Sequence, residues 1–356
     1  MNVAVSLFLL FLGSLSFVLL SVLFLFYSER KLSAFMQDRI GPKHVGRSGL
    51  LQPLADLLKL IQKETIIPAN ARKFLFVFAP FLIFASVFCG FALLPLWPEL
   101  SIFSPLPGGI LLLLGIISIE AIAIFIAGFS SQSKFPLLGA GRAVAQMLSY
   151  EVPLGISILC FFWIENSADL SVIQELQANM GSNPKTGNMG WPISLLSTEA
   201  PNWGGIFSWN LFRFPLLFFL LPVFFICVMA ESNRAPFDIP EGESEIIGGF
   251  HTEYSGFLWA IFFLAEYAMM LILSLVMSYL FFGGNASPIP HFGYSHILAA
   301  PSFFWLLAKS WTLGLLMIWI RWTLPRLRVD QLMGMSWKVL TPISLSIFLI
   351  IILLKY

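Results

Sequence analysis

Charge is what this sequence has least of. Asp, Glu, Lys and Arg make up 11% of its 356 residues, against 58% hydrophobic residues and 37 Phe. A soluble globular domain carries about 25% charged residues. A soluble fold this apolar would present large sticky patches, whereas lipid tails accept such a surface because they are as apolar as the side chains. Net charge is nearly absent too: a formal value of +1 gives no basic field for nucleic acid. The three cysteines, Cys89, Cys160 and Cys227, stand alone in apolar stretches. With no CxxC pair and no neighbouring His they offer no zinc or iron–sulfur ligand set. His44, His251, His291 and His296 all fall in connecting segments, which rules out the facing axial ligands of a membrane di-haem protein. There is no GxxxxGK[ST], and Gly139 and Gly141 run into Arg142 and an apolar helix rather than following a strand. Nucleotide chemistry must therefore belong to another chain.

What is present is a series of long apolar runs. Residues 3–27 carry no charge, and at about 1.5 Å per residue they suffice for the roughly 30 Å of bilayer hydrocarbon. No Lys or Arg precedes this run, so it reads as a retained span rather than a cleaved signal. Further runs at 74–97, 108–130, 137–164, 213–231, 256–283, 301–323 and 338–354 bring the expectation to about eight membrane helices. The fold class is all-α: a polytopic membrane protein in one domain, 1–356, with no internal repeat. Nine of the 20 Lys and Arg lie in the first connection, and none lies in 98–107 or 284–302. By the positive-inside rule the odd connections, with Lys134, Arg234, Arg326 and Arg328, face the cytoplasm, and both termini face outward. The polar segment 165–209 is expected to be an outward surface loop.

Within 50–63, Leu50, Leu54, Leu57, Leu58 and Ile61 recur at helical spacing, opposite Gln52, Asp56, Lys59 and Lys63. The stretch is too short to span. It predicts an interfacial helix, either lying flat on the membrane or roofing a cavity with Asp56 and Lys59 at its mouth. Glu120, Glu151 and Glu266 fall at mid-span, where an ionised carboxylate costs at least about 2.5 kcal/mol. Each singly could be a hydrogen-bonded structural group. Three together point to proton relay, because burial disfavours the charged form of a carboxyl group. Lys309 is expected to pair with one of them. After the fifth run, Glu231, Asp238, Glu241, Glu243, Glu245 and Glu253 crowd into about twenty residues, opposed only by Arg234. The prolines Pro236 and Pro240 break any helix there, and carboxylates this close cannot all ionise independently. Ile246, Ile247 and Phe250 interleave with the acids and predict that the segment packs into protein rather than lying in solvent.

These residues allow a comparison with a known family. The chain resembles the quinone-site membrane subunit of respiratory complex I, called the H subunit in bacteria and subunit 1 in mitochondria. The motifs that carry the resemblance are Glu29-Arg30-Lys31, Gln37-Asp38-Arg39-Ile40-Gly41-Pro42, Gly49-Leu50-Leu51-Gln52-Pro53-Leu54-Ala55-Asp56, Arg142-Ala143-Val144-Ala145-Gln146 and Ser149-Tyr150-Glu151. The acidic loop, Thr252-Glu253-Tyr254, Ala265-Glu266-Tyr267 and Asp330-Gln331-Leu332-Met333 continue it. The resemblance implies a subunit that docks the peripheral arm, walls the tunnel where ubiquinone or menaquinone is reduced, and adjoins small and antiporter-like membrane subunits. The FMN and the iron–sulfur clusters would lie in partner subunits. It implies that Arg30, Gln37, Arg39, Asp56, Lys59, Arg234 and Phe237 line or border the quinone tunnel, with Arg234 and Arg30 foremost. It implies a proton path through Glu231, Asp238, Glu241, Glu243, Glu245, Glu253, Glu266, Glu151 and Glu120. Trp209-Asn210-Leu211-Phe212-Arg213 and the length of segment 165–209 resemble bacterial members, so the expected location is a bacterial cytoplasmic (inner) membrane, with the mitochondrial inner membrane as the alternative. A lone secondary transporter would use the same mid-span acids but should show inverted repeats and paired broken helices, which this sequence lacks. The related component of a membrane-bound hydrogenase would share the scaffold without needing quinone.

Overall fold

The computed structural model describes residues 3–96, 108–178, 205–240, 242–289 and 301–355, and every regular element among them is helical. The first uncharged run continues past its predicted end as α1 (Val3–Met36), and the amphipathic stretch forms α2 (Gln52–Gln62). Next come α3 (Lys73–Leu93), then α4 (Gly109–Ile117) and α5 (Ile119–Ser130), which are one crossing interrupted at Ser118. The crossing α6 (Lys134–Glu165) is followed by the short α7 (Leu170–Ala178) and α8 (Asn210–Arg213). After α9 (Leu217–Glu231) the acidic loop holds one turn, α10 (Glu243–Ile246), and leads into α11 (Gly256–Phe281). The chain ends with α12 (Phe303–Thr323), α13 (Val329–Met335), a π turn at Ser336–Leu340 and α14 (Thr341–Lys355).

Among the described residues, seven helices are long and apolar enough to cross a membrane. The predicted run 213–231 is the exception: its helix α9 has 15 residues, or about 22 Å at 1.5 Å per residue. Pro215 and the turn before α9 take up the rest of the run. The last crossing, by contrast, begins earlier than the predicted 338, because α13 and the π turn run continuously into α14.

Helix α11 is the axis of the bundle. Every residue in 265–281 is buried, with α1, α3, α9 and α12 around it. The outer faces of α3, α12 and α14 leave Phe74, Phe81, Phe304, Trp319, Leu345 and Leu353 exposed, as a hydrocarbon environment permits. Backbone proximity fixes the loop at the basic end of the bundle: a Cβ on Gly139 of α6 would meet Gly249 Cα at 2.7 Å, so only glycine allows this contact.

Segment 165–209 differs from the expected surface loop where it is described. Helix α7 buries Leu170 and Ile173, and its Gln177 Nε2 donates to the Tyr279 carbonyl at 2.9 Å. Asn210 Nδ2 donates to the Leu280 carbonyl at 3.1 Å. The last carbonyls of α11 have no partner within their own helix, so side chains from elsewhere must satisfy them. The same need explains Lys309, which meets none of the three mid-span glutamates. Its ammonium donates to the carbonyls of Phe282, Gly284 and Ala286 at 2.6, 2.9 and 2.6 Å and sits 4.4 Å over the Trp209 ring. Its place in the second turn of α12 puts it at the end of α11, where a cation is favoured by the helix dipole.

Pro80 inside α3 removes the N–H that would otherwise bond to the Phe76 carbonyl. The Tyr254 hydroxyl donates to that carbonyl at 3.2 Å, while its ring stacks on Phe76 at 4.0 Å. Burial pushes the Tyr254 phenol up, against the smaller opposing effect of its hydrogen bond with Ser130, so it remains a donor. Tyr254→Phe should destabilise the fold by about 1–3 kcal/mol, the cost of an orphaned buried carbonyl. The loss should nearly vanish in a Pro80→Ala background, where an alanine N–H restores the helical bond. Thermal unfolding of the four variants checks this; an equal loss in both backgrounds would exclude the link.

Candidate functional site

At the basic end, α1 and α2 lean on α11 and α12 and enclose a cavity of about 600 Å³. Its body is apolar, lined by Phe26, Leu57, Leu60, Trp259, Phe263 and Leu264, and its rim is charged, with Arg30, Arg39, Asp56, Lys59 and Lys63. Local sequence accounts for this directly. In α2 the apolar residues Leu54, Leu58 and Ile61 point outward, exposed by 49, 51 and 50%, while Pro53, Asp56, Leu57, Lys59 and Leu60 line the cavity. Ser255 Oγ accepts the Ile66 N–H at 3.0 Å, tying the chain after α2 to the start of α11. Gly256, at φ +59, packs so closely that a Cβ would meet the Lys63 carbonyl at 2.8 Å. Thus α2 roofs a cavity rather than lying on the bundle as an independent surface helix.

Arg30 reaches Asp56 at 2.6 Å across the rim, with its guanidinium 4.6 Å over Phe26. Arg39 Nε donates to Gln37 Oε1 at 2.7 Å, so Gln37 meets the cavity only through Arg39. A second opening, of about 650 Å³, continues outward past Arg30, Arg39, Lys43, His44 and Gln52. Arg234 and Phe237 are not among the cavity-lining residues. Phe237 is buried, edge-on to Tyr150 at 5.6 Å. Arg234 lies behind the cavity wall, 3.9 Å over the Tyr267 ring and 3.7 Å from Glu29.

Glu29 is the functional candidate that sequence reasoning passed over. Its carboxylate is met by Arg321 at 2.5 Å, by Arg234, and by the hydroxyl of Tyr267. Glu29, Tyr267 and Arg321 all line the cavity. One carboxylate therefore faces two guanidinium groups at the boundary between the cavity and the protein interior. These residues come from α1, α11 and α12, and nothing local in the sequence links them. The available signals were Glu29's position, an acid at the close of an uncharged span, and its place in the motif Glu29-Arg30-Lys31.

The acids form two groups. Deep in the bundle, Ser118 at the break between α4 and α5 is hydrogen-bonded to Glu151. Glu120 of α5 and Glu231 at the end of α9 are buried, 2% and 5% exposed. Glu266 lies 3.1 Å from His251 Nε2, a histidine that nothing in its local sequence singles out. These four acids come from α6, α9, α5 and α11, and Glu266, like Glu120 and Glu231, is buried. Nearer the basic end, Asp238 pairs with Arg326 at 2.9 Å and Glu245 with Arg142 at 2.6 Å, while Glu253 is half-buried. The interleaved Ile246 and Phe250 are buried as expected, but Ile247 is 64% exposed. Glu241 and the side chain of Glu243 lie outside the described residues. Gln146 holds the whole segment to α6, donating to the carbonyls of Ala230 and Phe237, each at 2.8 Å.

Comparison with known proteins shows the family of the chain. The profile of the NADH dehydrogenase family matches residues 9–352. An H subunit of NADH-quinone oxidoreductase from Cytophaga hutchinsonii is 46% identical over 351 residues, covering 95% of both chains. The H subunit from Chlorobaculum parvum is 44% identical over 329 residues, covering 91% of this chain and 85% of its own. That from Ruthia magnifica is 40% identical over 330 residues, 92% of this chain and 84% of its own.

Proposed function

Since the chain belongs to the NADH dehydrogenase family, with relatives that are H subunits of NADH-quinone oxidoreductase, we propose that it is the membrane subunit of a proton-pumping NADH:quinone oxidoreductase whose cavity receives the quinone. Alone, this subunit carries no complete active site. Electrons come from NADH through flavin and iron–sulfur clusters held by partner subunits, which dock at the basic end. That end faces the cytoplasm, and both termini face outward, in a bacterial inner membrane. The observation that carries this reading is the cavity itself. An apolar body with a charged rim suits a molecule with a polar, reducible head and an isoprenoid tail, and it opens beneath an amphipathic helix at the level of the lipid interface.

The Glu29 cluster connects that cavity to the acids. Glu29 lines the cavity and bonds to Tyr267, while Arg234, three residues beyond Glu231, stacks on the same tyrosine and lies 3.7 Å from Glu29. A charge change in the cavity alters the field on Arg234 and on the loop it begins. The loop's ion pairs, Arg326 with Asp238 and Arg142 with Glu245, and the deep carboxylates then redistribute their protons as a coupled set. Glu120, Glu151, Glu231 and Glu266 pass the change toward the antiporter-like subunits.

Ala260 faces the cavity from α11. Ala260→Trp should fill part of it and raise the apparent KM for a short-chain quinone by about tenfold or more, as expected when roughly 1.4 kcal/mol of binding is lost. NADH oxidation by an artificial acceptor upstream of quinone should be unaffected. Normal quinone kinetics in a fully assembled complex would show that quinone binds elsewhere.

A further inference from the structure

We infer that Ser336 is a positioning residue for Glu151, acting through the backbone carbonyl that Pro153 leaves without a helical donor. In an α-helix the carbonyl of residue i receives the N–H of residue i+4. For Ser149 that residue is Pro153, inside α6, and proline has no N–H to give. The vacated donor position is filled from another part of the chain: Ser336 Oγ donates to the Ser149 carbonyl at 2.5 Å. Ser336 is completely buried and Ser149 is 3% exposed, so water is not an alternative donor.

The contact belongs to a larger attachment. Tyr150 Oη donates to the Leu332 carbonyl at 3.0 Å, and Ser149 Oγ lies 3.3 Å from Met333 Sδ. Two consecutive residues of α6 are therefore tied to 332–336, and the next residue is Glu151. Ser336 also opens the π turn Ser336–Leu340. Such a turn carries one extra residue and shifts the side chains beyond it relative to an uninterrupted helix, and π turns are frequent at functional sites. Here the turn begins at the serine that meets the carbonyl left open by Pro153. Glu151 is thereby held on two sides: the two residues before it, Ser149 and Tyr150, are bonded to 332–336, and its carboxyl group to Ser118.

This inference rests on the reading of Glu151 as part of the proton path, and a set of variants in the assembled membrane complex separates the two. Protons translocated per NADH oxidised are measured for Ser336→Ala, Ser336→Thr, Pro153→Ala, the Pro153→Ala/Ser336→Ala double variant and Glu151→Gln. Ser336→Ala should lower the ratio about twofold or more, as loss of one orienting bond shifts Glu151 among positions. Ser336→Thr keeps the hydroxyl and should retain the wild-type ratio. In the double variant the alanine that replaces Pro153 supplies the missing N–H, so the ratio should return toward that of Pro153→Ala alone. A merely structural loss would lower the amount or thermal stability of the complex, with the same rescue by Pro153→Ala, and would leave the ratio of protons to NADH in the assembled complex unchanged. A normal ratio in Ser336→Ala, or an equal fall in both backgrounds, overturns the inference while leaving the proton path intact if Glu151→Gln is impaired. A normal ratio in Glu151→Gln removes the reading beneath it and the inference as well.

Discussion

Replacing Glu29 by Gln should cost the complex most of its quinone reductase activity, by at least about tenfold for each 1.36 kcal/mol by which the transition state is raised. Glutamine has nearly the same shape as glutamate but carries no charge. The carboxylate it replaces has a side chain only 10% exposed and is the counter-charge for Arg321, 27% exposed, and Arg234, 6% exposed. Removing one member of a buried ion pair costs about 3–5 kcal/mol, because the remaining charge loses its partner without regaining water. Here two guanidinium groups are affected, and Tyr267 and the arginines must compete for the single amide oxygen that remains. The response falls on the wall between cavity and loop, so quinone reduction and thermal stability should decline together. Adding Arg321→Met, which removes one of the two uncompensated cations, should recover part of the stability. Glu29→Gln complex with wild-type activity and unfolding temperature would show that the cluster is dispensable.

Replacing Glu231 by Gln should affect the protons rather than the electrons. Glu231 ends α9 and is 5% exposed. Of the four deep acids it is the nearest to Arg234 in the sequence. An amide cannot exchange a proton, so translocation per NADH oxidised should fall by about two orders of magnitude if Glu231 is an obligatory carrier, the scale of a lost acid–base group. Reduction of artificial acceptors upstream should persist. Glu245→Gln makes an informative contrast. Its partner is Arg142, but its side chain is 57% exposed, and an exposed pair contributes only about 0–1 kcal/mol. Its effect should be much the smaller of the two. Vesicle acidification measured against NADH consumption compares them, and an unchanged ratio in Glu231→Gln would exclude it from the path.

The parts of this fold that were legible in the sequence are those governed by period and length. Seven membrane helices and the amphipathic α2 follow from apolar runs and from the 3.6-residue spacing of Leu54, Leu58 and Ile61. The rim residues Asp56 and Lys59 were accessible along a helix's one polar face, and Arg30 through the family resemblance. Illegible were the groups whose role depends on what another helix brings to them. Lys309 reads in sequence as a partner for a mid-span glutamate, yet the end of α11 presents three carbonyls closer at hand. Helix α7 reads as loop because nine residues of mixed polarity carry little periodic signal, while burial of Gln177 depends on free carbonyls about a hundred positions away.

By itself the sequence determined the solvent, seven of the eight expected spans, the asymmetry of charge along the chain, and which acids fall within long apolar helices. Each follows from transfer energies that a residue and its near neighbours carry wherever the chain goes. Only the tertiary structure decided that Glu29 lies between Arg234 and Arg321, that Arg234 stands behind the cavity wall rather than in it, and that Ser336 supplies the donor Pro153 lacks. These are matters of pairing. In a low-dielectric interior a buried charge or carbonyl must find a complementary group within about 3 Å, and which group is there depends on how the helices cross.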